Sequence, residues 1–278
     1  MNIAILLPTR HRPRMALSVL SALDHLASGK NTIRYQVRVD EDDTQSRVML
    51  DGIQSDIEGI NVVCKPRPVT LGHATNEAAQ GVHADAYAML GDDVFPLCQH
   101  WDEGIRILIG EHDIPAFCWT EVSNPNNHTY PVLSSKWVEA VGTITSGHFP
   151  FWFDDTWLAE VYELSFGQPM PIVADMRVGG KRGKTQGLRD LSFWFEFFDA
   201  TRSERIEWSG RIAKAFGVER DPGALCDIIA RHHQRTVEQL GRCAEYEEKF
   251  GTTQPPSDQY MNVKMLANQW LIDNRKAP

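Results

Sequence analysis

The chain has 278 residues, 42% of them hydrophobic, with a formal net charge of −9 and five cysteines. That length and apolar content suit one large domain or a domain with an appendage, while the acidic balance argues against general nucleic-acid binding, which needs a basic face. No apolar run approaches the roughly 20 residues of a membrane span, the opening MNIAILLPTRHRPR places its cations after a run too short for a signal peptide, and an odd cysteine count without CxxC points to a reducing cytoplasm.

Ile3 to Leu7 reads as a short buried strand, broken by Pro8 before the polar stretch Thr9, Arg10, His11 and Arg12. Pro13 suits a first helical position, and Met15, Val19, Leu20, Leu23 and Leu26 then recur at helical spacing until Ser28-Gly29. Ile33, Tyr35, Val37 and Val39 alternate with polar residues, the period of a second strand, which ends in the acidic cluster Asp40-Glu41-Asp42-Asp43. Val48, Met49, Ile53 and Ile57 mark a second helix, Asn61 to Cys64 a third strand, and Pro66 and Pro68 a loop carrying Lys65 and Arg67. A short helix follows over about Gly72 to Gln80, then the apolar run Ala86 to Leu90, which Gly91 turns into the adjacent carboxylates Asp92 and Asp93.

Strand and helix in alternation define a Rossmann-like α/β domain with a mostly parallel central sheet flanked by helices. Ligands of such sheets bind beyond the carboxyl ends of the strands, so paired acids there can hold a divalent cation against a phosphorylated ligand. A plain Gly-Asp turn is the competing reading. Further on, a helix is expected over Trp101 to Ile109, a strand over Ile114 to Trp119, and an Asn-rich turn at Asn124 to Asn127. Ser134 or Ser135 caps the helix SKWVEAV, Gly142 ends it, and an aromatic loop through His148, Phe149, Pro150 and Trp152 leads to Asp154-Asp155 at the start of TWLAEVYEL. Pro171 to Val178 reads as a late strand carrying Asp175, before the basic, glycine-rich GGKRGKTQGLR with Lys181, Arg182, Lys184 and Arg189. From Leu191 the texture is helical, so residues 191–278 read as a helical C-terminal extension of the α/β domain over 1–190. The aromatics Phe193, Trp194, Phe195, Phe197 and Phe198 exceed what one helix face buries; core packing is their expected fate, and covering the sheet or contacting a second copy through these helices are the other options.

These landmarks, in this order, resemble the inverting glycosyltransferases of the GT-A fold, family-2 type, over about the first 190 residues. ILLPTRHRP resembles the family's opening strand and loop, VRVDEDD its acidic strand end, LGHATNEAAQGVHADAYAMLGDD the approach to its metal-binding DXD, and FDDTWLAEVYE the segment bearing its catalytic base. Gly91 stands where the usual DXD has its first acid. The resemblance implies that residues 1–190 are the nucleotide-sugar-binding and catalytic domain, with a nucleotide-sugar donor, foremost a UDP-sugar, a hydroxyl acceptor, and Mn²⁺ or Mg²⁺ held by Asp93 with Asp92 beside it. It implies a nucleotide pocket of Pro8, Thr9, Arg10, Asp40 and Arg67, with Asp40 accepting from the base, and phosphate contacts from Lys181, Arg182 and Lys184. Asp155 becomes the general base and Asp154 its alternative, one of the two also meeting the helix dipole.

Other signals read as structural. His232-His233 lacks HExxH spacing and is expected on the surface, His148 is expected packed in its loop, and Trp152 and Trp157 are more often core than sugar platforms. A P-loop hydrolase is the sharpest rival, because Gly183-Lys184-Thr185 follows a strand, but Val178 stands where its first glycine belongs. A sugar-nucleotide nucleotidyltransferase needs a glycine-rich loop where PTRHRPR stands, and a non-catalytic nucleotide-sugar or glycan-binding module is the remaining alternative.

Overall fold

The computed structural model describes residues 1–53, 57–150, 153–180, 190–250 and 258–275. Strand β1 (Asn2–Thr9) is central because Ile3 to Leu7 lose all contact with water, on both faces of the sheet. Helix α1 (Pro13–Leu26) lays Ala16, Val19, Leu20 and Leu23 onto the core at helical spacing, and Pro13 opens it. Then follow β2 (Thr32–Asp40), α2 (Thr44–Asp51), β3 (Ile60–Lys65), α3 (Leu71–Ala79) and β4 (Ala86–Met89). β1 pairs in parallel with both β2 and β4, and β2 with β3, so the carboxyl ends of these strands open onto the same edge.

The second half of the sheet is mixed. It holds β5 (Val94–Pro96), β6 (Ala116–Glu121), β7 (Pro131–Ser134) and β8 (Ile172–Gly180), in the overall order β3-β2-β1-β4-β7-β6-β8-β5. β7 runs antiparallel to β4 and β6, while β8 runs parallel to β6 and antiparallel to β5. The helix expected over Trp101 to Ile109 is α4 (Trp101–Ile105), continued by wider π-type turns over Arg106–Glu111. Helix α5 (Ser135–Val141) is capped by the Ser134 hydroxyl, which accepts from the Trp137 amide, and stopped by Gly142 at φ 83°. The late strand runs on through Gly179 and Gly180, two residues past its expected end. At Gly180 a Cβ would lie 1.9 Å from the Asp93 carbonyl oxygen, so only glycine lets these backbones approach.

The chain forms two compact units. One is Met1–Gly147 with the chain resuming at Met170, and contains the whole sheet; the other is His148–Pro169 with the helices after residue 190. The units therefore place α6 (Asp154–Phe166) with α7 (Leu191–Ala200), α8 (Arg202–Ala215), α9 (Pro222–Phe250) and α10 (Asp258–Arg275), whereas a division at residue 190 leaves it with the sheet. α6 packs against α8 and α9. Trp194, Phe197 and Phe198 of α7 are buried, and Phe197 and Phe198 meet Phe149 at ring distances of 5.6 and 5.7 Å, so core packing takes most of that aromatic surplus.

His232 corrects an expectation. Only His233 is exposed; His232 is 2% exposed, its Nε2 lying 2.8 Å from Glu163 Oε2 and its Nδ1 3.4 Å from Glu160. Arg205, also buried, reaches Glu160 at 2.9 Å and lies 3.8 Å over the Phe198 ring; burial pushes its guanidinium down to about 10, so it stays charged at neutral pH. The histidine is inside because α6 presents carboxylates to α9 that need partners. The bond to His232, helped by Arg231 against the cost of burial, holds Glu163 at about 2 instead of 4.5. A depressed carboxylate stabilises the fold above its unfolded value and loses that contribution as pH falls, here from 4.5 towards 2. Glu163→Gln is therefore expected to cost about 3 kcal/mol in urea unfolding at pH 7. The same variant is expected to flatten the acid limb of stability between pH 4.5 and 2, and an unchanged limb would contradict this assignment.

Candidate functional site

Two parallel strands, β2 and β4, deliver acids to one edge, on either side of β1. Asp40 is the last residue of β2, Asp92 and Asp93 follow β4, and the loop between β1 and α1 runs among them. Each residue of that loop from Thr9 to Arg12 holds a carboxylate. The Thr9 hydroxyl donates to Asp92 Oδ2 at 2.7 Å; Arg10 donates to Asp40, and with both Nη atoms to Asp42 at 2.6 and 2.8 Å. The His11 amide donates to Asp43 Oδ2 at 2.6 Å, and Arg12 spans Asp92 Oδ1 at 2.6 Å and Asp93 Oδ2 at 3.0 Å. His11 takes φ 55°, a left-handed conformation unusual for a residue with a Cβ, and its bond to Asp43 helps offset that strain.

Beneath the loop lies an arginine that the sequence reading misses. Arg38, 1% exposed, donates to Asp40, to Glu77 at 2.7 Å and to the Pro66 carbonyl. Both Asp40 oxygens therefore face guanidinium groups, one buried and one from the rim. Asp43, not Asp40, caps α2, accepting from the Ser46 amide. Arg67 is exposed and lines an open groove of about 730 Å³ with Pro66, His73, Asn76 and Glu77, and its charge helps lower the Asp42 carboxyl. Pro8 lies in β1 opposite Arg38.

Charge balance differs from acid to acid. The hydrogen bond from Arg10 holds Asp42 at about 2. Burial alone would raise Asp43, but its bonds to Ser46 and His11 outweigh that and leave it below the usual range. Asp92 goes the other way: burial pushes it up, and Thr9 and Arg12 pull it only part of the way back, with Asp93 opposing them. Asp92 is 1% exposed at its side chain and Asp93 18%, so Asp93 is the carboxylate that a solvent-borne cation reaches first. A Cβ at position 91 would stand 2.9 Å from Asp93 Oδ1, which places Gly91 against the carboxylate that an added side chain would crowd.

Asp154 and Asp155 belong to the helical unit, in the first turn of α6, where they meet its positive end. The residue before them, Phe153, takes φ 75° and supplies no side-chain cap, and Asp155 Oδ1 accepts from the Thr156 amide at 2.7 Å. His148 is packed as expected, between Phe149, Trp157, Phe197 and Trp270, with Nε2 2.6 Å from Glu204. Trp157 is fully buried and offers no sugar platform. Asp175 is exposed on β8 beside its bulge, and among the described residues no three His, Cys, Asp or Glu side chains form a metal-binding group. Lys181, Arg182, Lys184, Arg189 and Trp152 lie outside the described residues. The P-loop rival loses its first glycines to the sheet, because Gly179 and Gly180 pair with Phe95 and Val94.

No protein-family model matches the chain, and no curated protein matches it in sequence. Solved structures share its fold, which is that of the GT-A glycosyltransferases. S. aureus TarS 1–349 in complex with UDP is similar with a TM-score of 0.61 at 10% identity, over 86% of this chain and 72% of that one. The mannosyltransferase PcManGT from Pyrobaculum calidifontis in complex with GDP-Man and Mn²⁺ gives 0.53 at 11% identity, over 97% and 80%. Glucosyl-3-phosphoglycerate synthase from Mycobacterium tuberculosis with Mg²⁺ and UDP gives 0.55 at 13%, over 74% and 79%. No described helix is long and apolar enough to cross a membrane.

The Thr9 hydroxyl is a direct probe of this edge. Thr9→Val strands a buried carboxylate oxygen and is expected to cost about 2 kcal/mol in urea unfolding at pH 7. The loss is expected to shrink at acid pH, where Asp92 takes up a proton and needs the donor less; an equal loss at both pH values would show that the bond is not charge-assisted.

Proposed function

We propose that the protein is a metal-dependent glycosyltransferase that moves a sugar from a nucleotide-diphosphate donor, a UDP-sugar first among them, to an acceptor hydroxyl with inversion. The observation that carries this reading is the gathering of Asp40, Asp92 and Asp93 at the carboxyl ends of β2 and β4, the two parallel strands that flank β1, in a GT-A fold. Residues 1–190 would supply donor binding and catalysis and residues 191–278 the helical extension, whose helices are also where we place any self-association. Five cysteines without a disulfide support a reducing cytoplasm as its compartment.

The residues fit a hard divalent ion. Asp93 at the rim and Asp92 beneath it offer only oxygen ligands, too few to enclose an ion alone, so diphosphate and water would complete its shell, as Mg²⁺ and Mn²⁺ sites commonly arrange. When bound, the ion supplies Lewis-acid neutralisation of the charge that develops on the departing diphosphate. Asp40 would accept from the base once Arg10 turns aside, with Pro8, Thr9 and Arg67 framing the nucleotide, and Lys181, Arg182 and Lys184 are proposed phosphate contacts. Asp155 would take the proton from the acceptor hydroxyl as that oxygen attacks the anomeric carbon opposite the leaving group, and Asp154 is the alternative base.

Incubation with a panel of nucleotide sugars, a panel of hydroxyl acceptors and Mn²⁺, read by mass spectrometry of glycosylated product, tests the reading. Asp93→Asn is expected to weaken metal-dependent donor binding and transfer together, whereas Asp155→Asn is expected to bind donor normally and lose about 10²-fold or more in transfer. Near-full turnover by Asp155→Asn would move the base to Asp154. A donor bound tightly but never transferred or hydrolysed would favour a non-catalytic binding protein.

A further inference from the structure

Arg12 stands apart from the other arginines of the strand edge. Arg38 is enclosed, with partners on three of its nitrogens, and serves the fold. Arg12 is 44% exposed at its side chain, yet its two Nη atoms bridge two different carboxylates, Asp92 Oδ1 at 2.6 Å and Asp93 Oδ2 at 3.0 Å. The remaining Asp92 oxygen already has the Thr9 hydroxyl. The guanidinium thus occupies the side of the acid pair from which a cation would approach.

Its charge does not balance the pair, since one positive group faces two carboxylates. A divalent ion would balance them fully and is a stronger partner for carboxylate oxygen than a half-exposed guanidinium, whose exposed pairs contribute little to stability. The Arg12 backbone is fixed: its carbonyl accepts from Met15 and Ala16, and Pro13 follows it. Displacement therefore asks only for side-chain rotation. The released fork would remain at the positive end of α1, where an incoming diphosphate is favoured, and a guanidinium matches phosphate oxygens bidentately.

We infer that Arg12 is the resident counter-ion of the Asp92–Asp93 pair and that, when a divalent ion takes that place, it turns onto the donor diphosphate as a binding residue. The inference rests on the metal-dependent reading above and adds a residue and an exchange to it. Metal and donor then favour each other, because the ion frees the arginine that the diphosphate uses. In the free protein Arg12 competes with the metal; in the loaded protein it cooperates with it.

Isothermal titration of the full chain separates these effects without any turnover. Arg12→Gln is expected to bind Mn²⁺ in the absence of nucleotide about tenfold more tightly than the wild type, and to bind UDP at saturating Mn²⁺ about tenfold more weakly. Arg14→Gln removes the same charge from an exposed position two residues on and is expected to change neither. A merely structural role for Arg12 would weaken both affinities together and overturns the inference. Unchanged Mn²⁺ affinity in Arg12→Gln, with UDP still binding in a metal-dependent manner to the wild type, overturns the exchange alone. Metal-independent UDP binding with no Mn²⁺ uptake by either protein overturns the metal reading and the inference with it.

Discussion

The fold brings carboxylates together, and the constraint on everything around them is that they need countercharge. Asp40, Asp42, Asp43, Asp92 and Asp93 stand at or just beyond the carboxyl ends of β2 and β4, and the short loop after β1 threads between them. Four consecutive residues, Thr9 to Arg12, each bind at least one of these acids, and His11 adopts a left-handed backbone to do so. Without that loop several carboxylates would lie buried or half-buried against one another, an arrangement that protonation would have to relieve. Even with the loop in place Asp92 stays raised, chiefly by burial and to a lesser degree by Asp93.

Much of this is legible in the sequence, for a physical reason. A strand buried on both faces requires a continuous apolar run, so β1 and β4 stand out, and an acid directly after such a run can only lie at a strand end. Pro13 and the Ser134 cap are visible because each answers a local backbone need that few residues meet. The residues that escape the sequence do so because their partners are distant. Arg38 alternates with Val37 and Val39 and reads as solvent-facing; β2 is covered on both faces, so the arginine is inside and depends on Asp40, on Glu77 and on the Pro66 carbonyl. β5 and β7, three and four residues long, are too short to carry a period and form against distant partners, β5 on β8 and β7 between β4 and β6. His232 resembles its exposed neighbour in every local respect and differs only in facing Glu160 and Glu163 across the helix packing.

The comparison with solved glycosyltransferases is informative in the same terms. At 10 to 13% identity the shared feature is the fold, a mixed α/β sheet flanked by helices. Buried apolar positions tolerate exchange among residues of similar volume, so a sheet persists where residue identities do not. On this chain's acidic edge three arginines, Arg10, Arg12 and Arg38, are all engaged by aspartates.

The central claim is that the acidic strand edge is the donor site, held ready by the cations of the β1–α1 loop. A crystal grown with UDP and Mn²⁺, examined by anomalous scattering at the manganese edge, tests it most directly. The account predicts a manganese peak bonded to the Asp93 carboxylate and to the diphosphate, uracil beside Asp40, and Arg12 turned away from the acid pair. UDP bound elsewhere, with Arg12 still bridging Asp92 and Asp93, would contradict it.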